Sequence, residues 1–410
     1  MEVLYPRCGG LDIHKRTVVA CRVTPGPDGQ PVKAIRTFGT MTEDLLALGD
    51  WLAEGGCTHG AMEATGVYWK PSWNLLEDAF VLLLVNARHV RQVPGRKTDV
   101  RDCEWLADLL RHGLLRGSFV PDRPQRELRE LARYRTSLVR ARTAEANRLQ
   151  KTLEGANVKL GLVATDVLGK SGRGILAALV AGEADPAALA QLARGLLRKK
   201  LPQLEQALTA DVGRHQRFLL AQHLAHIDFL DARIADVSAE VARRLRPLDE
   251  AIARLDAIPG IGREAAEALL AELGGHVARF PTAKHLASWA GMCPGNRESA
   301  GKRRSGATRK GSPWLRGLLV QAAHAAARTK GTYLAAQDRR LAARRGQSRA
   351  AVAVGHSLLV IVYHLLRHGT EYHDLGPHYF DERDRRAVER RLVRRLEGLG
   401  YRVALEPRAA

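Results

Sequence analysis

The hydrophobic period of this 410-residue chain changes once, near residue 123, and that change sets what it can fold into. Before it, short apolar runs alternate with helical patterns. "CGGLDIHKRTVVACRVTP" reads as a strand, a turn near His14–Arg16 and a second strand, and "VKAIRTFGT" as a third beyond a Pro/Gly turn cluster. "TEDLLALGDWLAEGG" predicts an amphipathic helix with Thr42 as N-cap and a Gly-Gly stop. A strand ending at Glu63, a helix through Leu76 and the buried run "FVLLLVN" follow. This alternation predicts an α/β fold, and the opening hairpin makes its sheet mixed.

From about Pro124 to Leu255 the strand signal disappears. Leu128, Leu131, Tyr134 and Leu138 share one helical face. Ile227, Leu230, Ile234, Val237, Val241, Leu245, Leu248, Ile252 and Leu255 recur at steps of three and four, a coiled-coil-like seam that Pro247 kinks. Such a seam serves either a dimerisation stalk or an intrachain helical hairpin. Beyond it come a basic, Gly-punctuated stretch, the helix "RAAVAVGHSLLVIVYHLLRHG" and an Arg-rich tail. The expected partition is 1–122, 123–255, 256–345 and 346–410, with a mainly α-helical C-terminal part.

Asp12 is out of place in its strand, where a carboxylate is a poor former and an unpaired charge is costly. Glu63 ends a later strand of the same sheet. Asp99 and Asp102, three apart in "GRKTDVRDCEWLADLLRHG", share a helical face. Four carboxylates in one pocket repel each other unless divalent cations neutralise them, and oxygen-only ligation suits Mg²⁺ or Mn²⁺. Such metals point to phosphodiester chemistry. Structural roles stay open to each residue: Asp99 as an N-cap, Asp102 as the partner of Arg96 or Arg101, Glu63 as a strand-end cap. Asp108, further along the same helix, is read as a surface residue.

Lys+Arg outnumber Asp+Glu by 64 to 44, a formal +20, which favours a polyanion: nucleic acid first, an acidic membrane second. The five scattered cysteines form no C-x-x-C pair, so reduced thiols in a cytoplasm are expected rather than zinc or disulfides. No signal pattern opens the chain, and no apolar run is expected to approach the ~20 residues of a membrane span. There is no P-loop. Pro294–Gly311 is read as irregular. It carries Arg297, Lys302, Arg303, Arg304, Arg309 and Lys310, with Arg316 opening the next helix, a phosphate-cradling composition. Ser299 and Ser305 lie within it. Either serine can attack phosphorus or merely hydrogen-bond a phosphate, and chemistry alone favours the latter. Upstream, "LDAIPGIGREAAEALLAELG" has the pattern of a helix–hairpin–helix, with Gly260 and Gly262 letting backbone approach a phosphate, although a plain helical turn fits too.

"GLDIHK", "AMEATGVYW", "KTDVRDCEWLADLLRHGLL", "IPGIGREAAEALLAELG", "FPTAKHLASWAGMCPGNRESAGKRRSGATRKGSPWLRGLLVQAA" and "YHDLGPHYF" occur in the order of the insertion-sequence-110 transposase family, and nearly the whole chain resembles it. The resemblance implies an N-terminal domain similar to RuvC Holliday-junction resolvases (RNase H-like), whose Asp-Glu-Asp-Asp set maps onto Asp12, Glu63, Asp99 and Asp102. It implies a helical region and a C-terminal transposase domain whose nucleophile sits in Pro-x-x-x-x-Ser-small-Gly. Here that is Ser299, between Pro294 and Gly301. It further implies a recombinase that excises and inserts its element without ATP through a covalent serine–DNA intermediate. Donor and target DNA would be paired by a bridge RNA, in a dimer or tetramer, in a bacterial cytoplasm at the nucleoid. A metal-dependent Holliday-junction-type endonuclease and a non-catalytic nucleic-acid-binding protein are the alternatives.

Overall fold

A computed structural model describes residues 2–64, 66–86, 102–295, 297–299, 301–308 and 311–406. Asp99, Arg309 and Lys310 lie outside the described residues. The chain divides into two compact units, Met1–Asp122 and Arg123–Ala410.

The first unit is built on a six-stranded sheet. Strands β1 (Cys8–Ile13), β2 (Thr17–Pro25) and β3 (Pro31–Gly39) form an antiparallel meander, followed by helix α1 (Thr42–Glu54). β4 (His59–Glu63) runs parallel to β1. After α2 (Trp69–Leu76), β5 (Val81–Val85) runs parallel to β4. Helix α3 (Asp102–Arg111) precedes the short β6 (Gly117–Ser118), which pairs antiparallel with β5. The sheet is therefore mixed, in the order β3-β2-β1-β4-β5-β6.

Alternation along β1 sends successive side chains to opposite faces. Leu11 and Ile13 enter a core with Leu45, Leu48 and Leu52 of α1 and Trp73 and Leu76 of α2. Cys8 faces the other way, into a core with Cys103, Ala107 and Leu110 of α3. Helices thus cover both faces. β5 is less buried than its apolar run suggests, because Val81 at its start is exposed. Helix α1 is capped by Met41 rather than Thr42. Asp44 reaches back to accept from the Met41 N–H at 3.3 Å, so the capping carboxylate comes from inside the helix.

The second unit is helical apart from one hairpin among the described residues. Helix α4 (Arg123–Gly155) leads into α5 (Leu160–Val163), α6 (Lys170–Ala181), α7 (Pro186–Gln191) and α8 (Leu201–Leu208), and α9 (Arg214–Leu245) returns along α4. Arg142 pairs with Asp231 and Arg244 with Glu127, which fixes the two long helices as antiparallel. The seam of α9 therefore pairs within the chain: Ile227, Leu230, Val241 and Leu245 are buried. Tyr134 is exposed, because the buried face of α4 runs through Leu128, Ala132, Arg135 and Leu138 instead. Pro247 breaks the seam in a short 3₁₀ turn before α10 (Asp249–Asp256).

One core joins α5–α8 to Leu149 and Leu153 of α4 and Leu220 and Ile227 of α9. A larger core gathers the opposite ends of α4 and α9 with α10, α11 (Arg263–Leu273), α12 (Ala283–Trp289), α13 (Pro313–Arg328), α14 (Tyr333–Arg345) and α15 (Gln347–His368). Contrary to the sequence reading, α15 is long and apolar enough, by length and composition, to cross a membrane. Half of that apolar stretch is buried, with Val354, Leu358, Leu359 and Val362 in the larger core. The chain closes with α16 (Tyr379–Glu382) and α17 (Arg385–Glu397).

Candidate functional site

Three of the four expected carboxylates fall at one end of the sheet. The β1–β4 register runs to Leu11↔Met62, so Asp12 and Glu63 are the next residues on strands about 4.8 Å apart. Both alternate with residues facing α3, namely Gly10 and Ala61. Gly10 explains how close α3 comes. A Cβ there would lie 2.1 Å from the Cys103 carbonyl oxygen and 2.6 Å from the Ala107 nitrogen, so only glycine admits the helix backbone. That contact anchors α3 beside its first residue, Asp102. Burial, with Glu104 and then Asp12 close by, pushes the Cys103 thiol up, as a neighbouring Asp12 carboxylate should.

Asp12 is half-buried, and His14 Nε2 lies 3.2 Å from its Oδ2. His14 is also the turn residue expected, its N–H donating to the Thr17 carbonyl. Asp108 pairs with Lys33 on the edge strand, away from the β1–β4 strand ends. Among the described residues, no group of three or more His, Cys, Asp or Glu side chains stands close enough to hold a metal ion. Asp12, Glu63 and Asp102 share an end of the fold without closing on a common point. Their donor set, all hard carboxylate oxygens, fits a divalent cation of the Mg²⁺ or Mn²⁺ type.

The stretch around the serines is more regular than its composition suggests. β7 (Arg297–Ser299) and β8 (Lys302–Ser305) form an antiparallel hairpin with a bulge between Arg297 and Glu298. Ser299 pairs with Lys302 across the turn, and Gly301 sits there at φ +71°, a conformation hairpin turns require. The irregular reading fails because strands this short and polar carry no apolar alternation. Below the hairpin, Pro294 bridges Thr308 and the Gly295 N–H donates to the Ala307 carbonyl at 2.8 Å. Gly311 passes so close to Ala290 that a Cβ would lie 2.3 Å from its carbonyl oxygen. Ser312 then caps α13 by accepting from the Leu315 N–H. Arg316, one turn on, donates from Nη1 to Thr308 Oγ1 at 2.6 Å. Lys302 is exposed.

The two glycines of the Pro-Gly-Ile-Gly turn differ. Gly260 has φ +89°, and a Cβ there would meet the Ala322 carbonyl oxygen at 2.3 Å and the Ala326 nitrogen at 2.6 Å. Its lack of a side chain lets the turn pack on α13. Gly262, the N-cap of α11, has nothing within 4 Å of its Cβ position and leaves the helix start open.

A cleft that sequence spacing did not reveal lies beside α4, α11 and α13. Trp314 sits under the guanidinium groups of Arg140 and Arg133, at 5.0 and 5.8 Å. Arg133 also grips Glu272 bidentately, and the buried Arg135 pairs with the buried Glu267 at 2.6 Å. These partners are more than 130 residues apart, so no local pattern announces them.

Two families match the chain. One, a transposase family of the DEDD IS110 type, matches residues 9–158; the other, described as "Transposase IS116/IS110/IS902 family", matches residues 252–338. A Pseudomonas aeruginosa protein named "Probable family 20 transposase" is 30% identical over 319 residues, covering 76% of this chain and 85% of that protein. A Streptomyces coelicolor protein named "Insertion element IS110 uncharacterized 43.6 kDa protein" is 27% identical over 305 residues, covering 69% and 74%.

Proposed function

The chain belongs to the IS110 family of transposases, and from that premise we propose that it excises and inserts a DNA element by serine attack on phosphodiesters. Asp12, Glu63 and Asp102, with Asp99, would hold divalent cations, Mg²⁺ or Mn²⁺. A bound cation would polarise a phosphoryl oxygen and stabilise the leaving oxygen. Ser299 Oγ loses its proton and attacks phosphorus. A serine–phosphate ester forms, the bond from phosphorus to the departing sugar oxygen breaks, and that oxygen takes up a proton, balancing the one the serine lost, to leave as a free hydroxyl. Attack by another strand's hydroxyl reverses the sequence, releases the serine and joins the strands, with the ester conserving the bond energy.

The observation that carries this reading is the placement of Asp12 and Glu63 on adjacent parallel strands, with Asp102 opening the helix anchored on β1 at Gly10. The mixed sheet also supports a RuvC-like assignment for residues 1–122, ahead of a helical region at 123–255, a transposase domain at 256–345 and a tail at 346–410. The choice of Ser299 over Ser305 rests on its place in the Pro-x-x-x-x-Ser-small-Gly stretch, at the tight turn where Ser299 pairs with Lys302. Arg297, Lys302, Arg303, Arg304, Arg309 and Lys310 would hold DNA phosphates around it. The α10–α11 turn acts as a helix–hairpin–helix, with phosphate meeting the amides beside Gly262 rather than Gly260. A bridge RNA would supply sequence choice by base pairing. Assembly as a dimer or tetramer would let one subunit's carboxylates meet another's serine.

Trapping tests the chemistry. Incubation with element-end DNA and Mg²⁺ should yield a protein–DNA adduct that survives SDS and disappears in Ser299→Ala. An adduct persisting in that variant overturns the nucleophile assignment, and cleavage without any adduct restores the endonuclease reading. Sequencing the RNA that copurifies tests guidance: a discrete RNA encoded beside the gene is expected, and random fragments alone would sink it.

A further inference from the structure

Along the helices of the second unit several arginines are matched by carboxylates: Arg133 by Glu272, Arg135 by Glu267, Arg142 by Asp231, Arg148 by Glu145. The C-terminal face breaks this habit. Arg339, Arg340 and Arg344 of α14 and Arg391 of α17 line a cleft of about 450 Å³, with Asp381 the one carboxylate among its lining residues. All four arginines are exposed, and none has an ion pair among the described residues. Beyond the cleft, α17 continues the charge through Arg386, Arg390, Arg394 and Arg395.

The cleft is also held in shape. Asp374 accepts from the Tyr333 N–H at 2.9 Å, the Gly376 N–H at 2.7 Å and the Tyr372 hydroxyl at 2.8 Å, clasping the segment before α16 to the start of α14. Phe380 then stacks on Tyr333, with centroids 5.1 Å apart, and carries the Arg340 guanidinium 5.5 Å from its ring. Uncompensated guanidinium groups repel one another, and a fixed set of them is stabilised by an outside polyanion. The geometry points to a second nucleic-acid contact: the α14–α17 cleft holds the sugar–phosphate backbone of a strand, separately from the hairpin that carries Ser299. The arginines run along two helices, which suits a chain of phosphates better than a single anion. Phe380 is already engaged by Tyr333 and Arg340, so the contact is to backbone and insensitive to base sequence.

This inference rests on the nucleic-acid reading above. The test uses the full chain, a fluorescent duplex DNA and a fluorescent single-stranded RNA of about 30 nucleotides, titrated between about 50 and 200 mM salt. The triple variant Arg339→Gln/Arg344→Gln/Arg391→Gln should flatten the plot of log affinity against log salt. The expected loss is about 2.7 units on duplex, or about 2 on single strand, if all three meet phosphates. The probe that loses slope identifies DNA or RNA as the occupant. A control removing the same charge from paired arginines, Arg233→Gln/Arg243→Gln/Arg254→Gln, should change the slope far less. If the triple variant does not fold, Arg391→Gln alone should remove about one third of the effect. Equal slopes for triple variant and control overturn the cleft, and so does a parallel titration with phosphatidylserine vesicles if the triple variant loses binding there alone, which would make α17 a membrane-surface helix. A wild-type chain that binds neither probe defeats the nucleic-acid reading itself.

Discussion

Arg316 Nη1 donates to Thr308 Oγ1 at 2.6 Å, tying the segment after the serine hairpin to the first turn of α13. An arginine expected to meet nucleic acid is thus engaged with its own chain. Thr308→Val keeps the shape and removes the acceptor. A hydrogen bond to a charged group contributes about 1.5–3 kcal/mol, so adduct formation should slow by about tenfold or more while DNA affinity holds. Single-turnover rates and fluorescence anisotropy separate the two. Weaker affinity with an unchanged rate would return Arg316 to the DNA.

Asp12→Asn should reduce strand cleavage to background, and chelation with EDTA should do the same until Mg²⁺ is restored. Asp108→Asn is the control, because Asp108 is tied to Lys33 in a part-exposed pair whose loss costs little. Gel assays of labelled element ends decide it. Cleavage by Asp12→Asn at the wild-type rate would remove Asp12 from the site.

Glu267→Gln leaves Arg135 buried without its counter-charge, side chains that are 4% and 6% exposed. Breaking such a pair costs about 3–5 kcal/mol, and urea denaturation should show the helical unit unfolding correspondingly earlier. Glu240→Gln, which disturbs the exposed Arg243 and Arg244 pairs, should leave the midpoint in place.

Gly260→Ala places a Cβ against α13 at a positive φ, and a loss of about 2–5 kcal/mol is expected from strain and overpacking together. Gly262→Ala meets open space and should stay within about 0.5 kcal/mol of wild type. Thermal melts of the pair distinguish a packing glycine from an accessible one. Similar melts would show that the α10–α13 approach is looser than described.

Burial pushes the Cys8 and Cys21 thiols up to about 12 and the Cys57 thiol to about 11. A raised thiol pKa favours the protonated form, so at pH 8 only about one Cys8 in ten thousand is thiolate. Native alkylation should modify Cys293, which is half-buried, well before Cys8, Cys21 or Cys57. Peptide mapping after short labelling checks this, and early modification of Cys8 would contradict it.

The readable parts of this chain were those governed by short-range rules. Apolar alternation and turn residues located β1, β2 and the end of β4 at Glu63, and Pro247 marked the end of the α9 seam. Thr42 misled because a capping carboxylate, Asp44, lay inside the helix. Tyr134 has helical spacing but faces outward, since the burial stripe of α4 includes Arg135, a charge made tolerable by a partner 132 residues away. The serine hairpin hid behind its polarity. Asp12 and Glu63 could be paired from strand ends alone, whereas the Arg316–Thr308 tie and the Trp314 cleft depend on how distant helices pack.

The α4–α9 pairing has a kinetic side. Glu127 and Arg244 meet across 117 residues, a separation that makes loop closure entropically slow. Helices α5–α8 shorten that search, because they sit over a core of their own with the near ends of α4 and α9. Once this inner lobe forms, Thr152 and His223 are already neighbours and the two long helices need only zip outward. Assembly of the larger core, and with it the support of the serine hairpin, would then come last. A substitution in the inner lobe, far from the serine hairpin, would delay the larger core by slowing its birth rather than by altering its contacts.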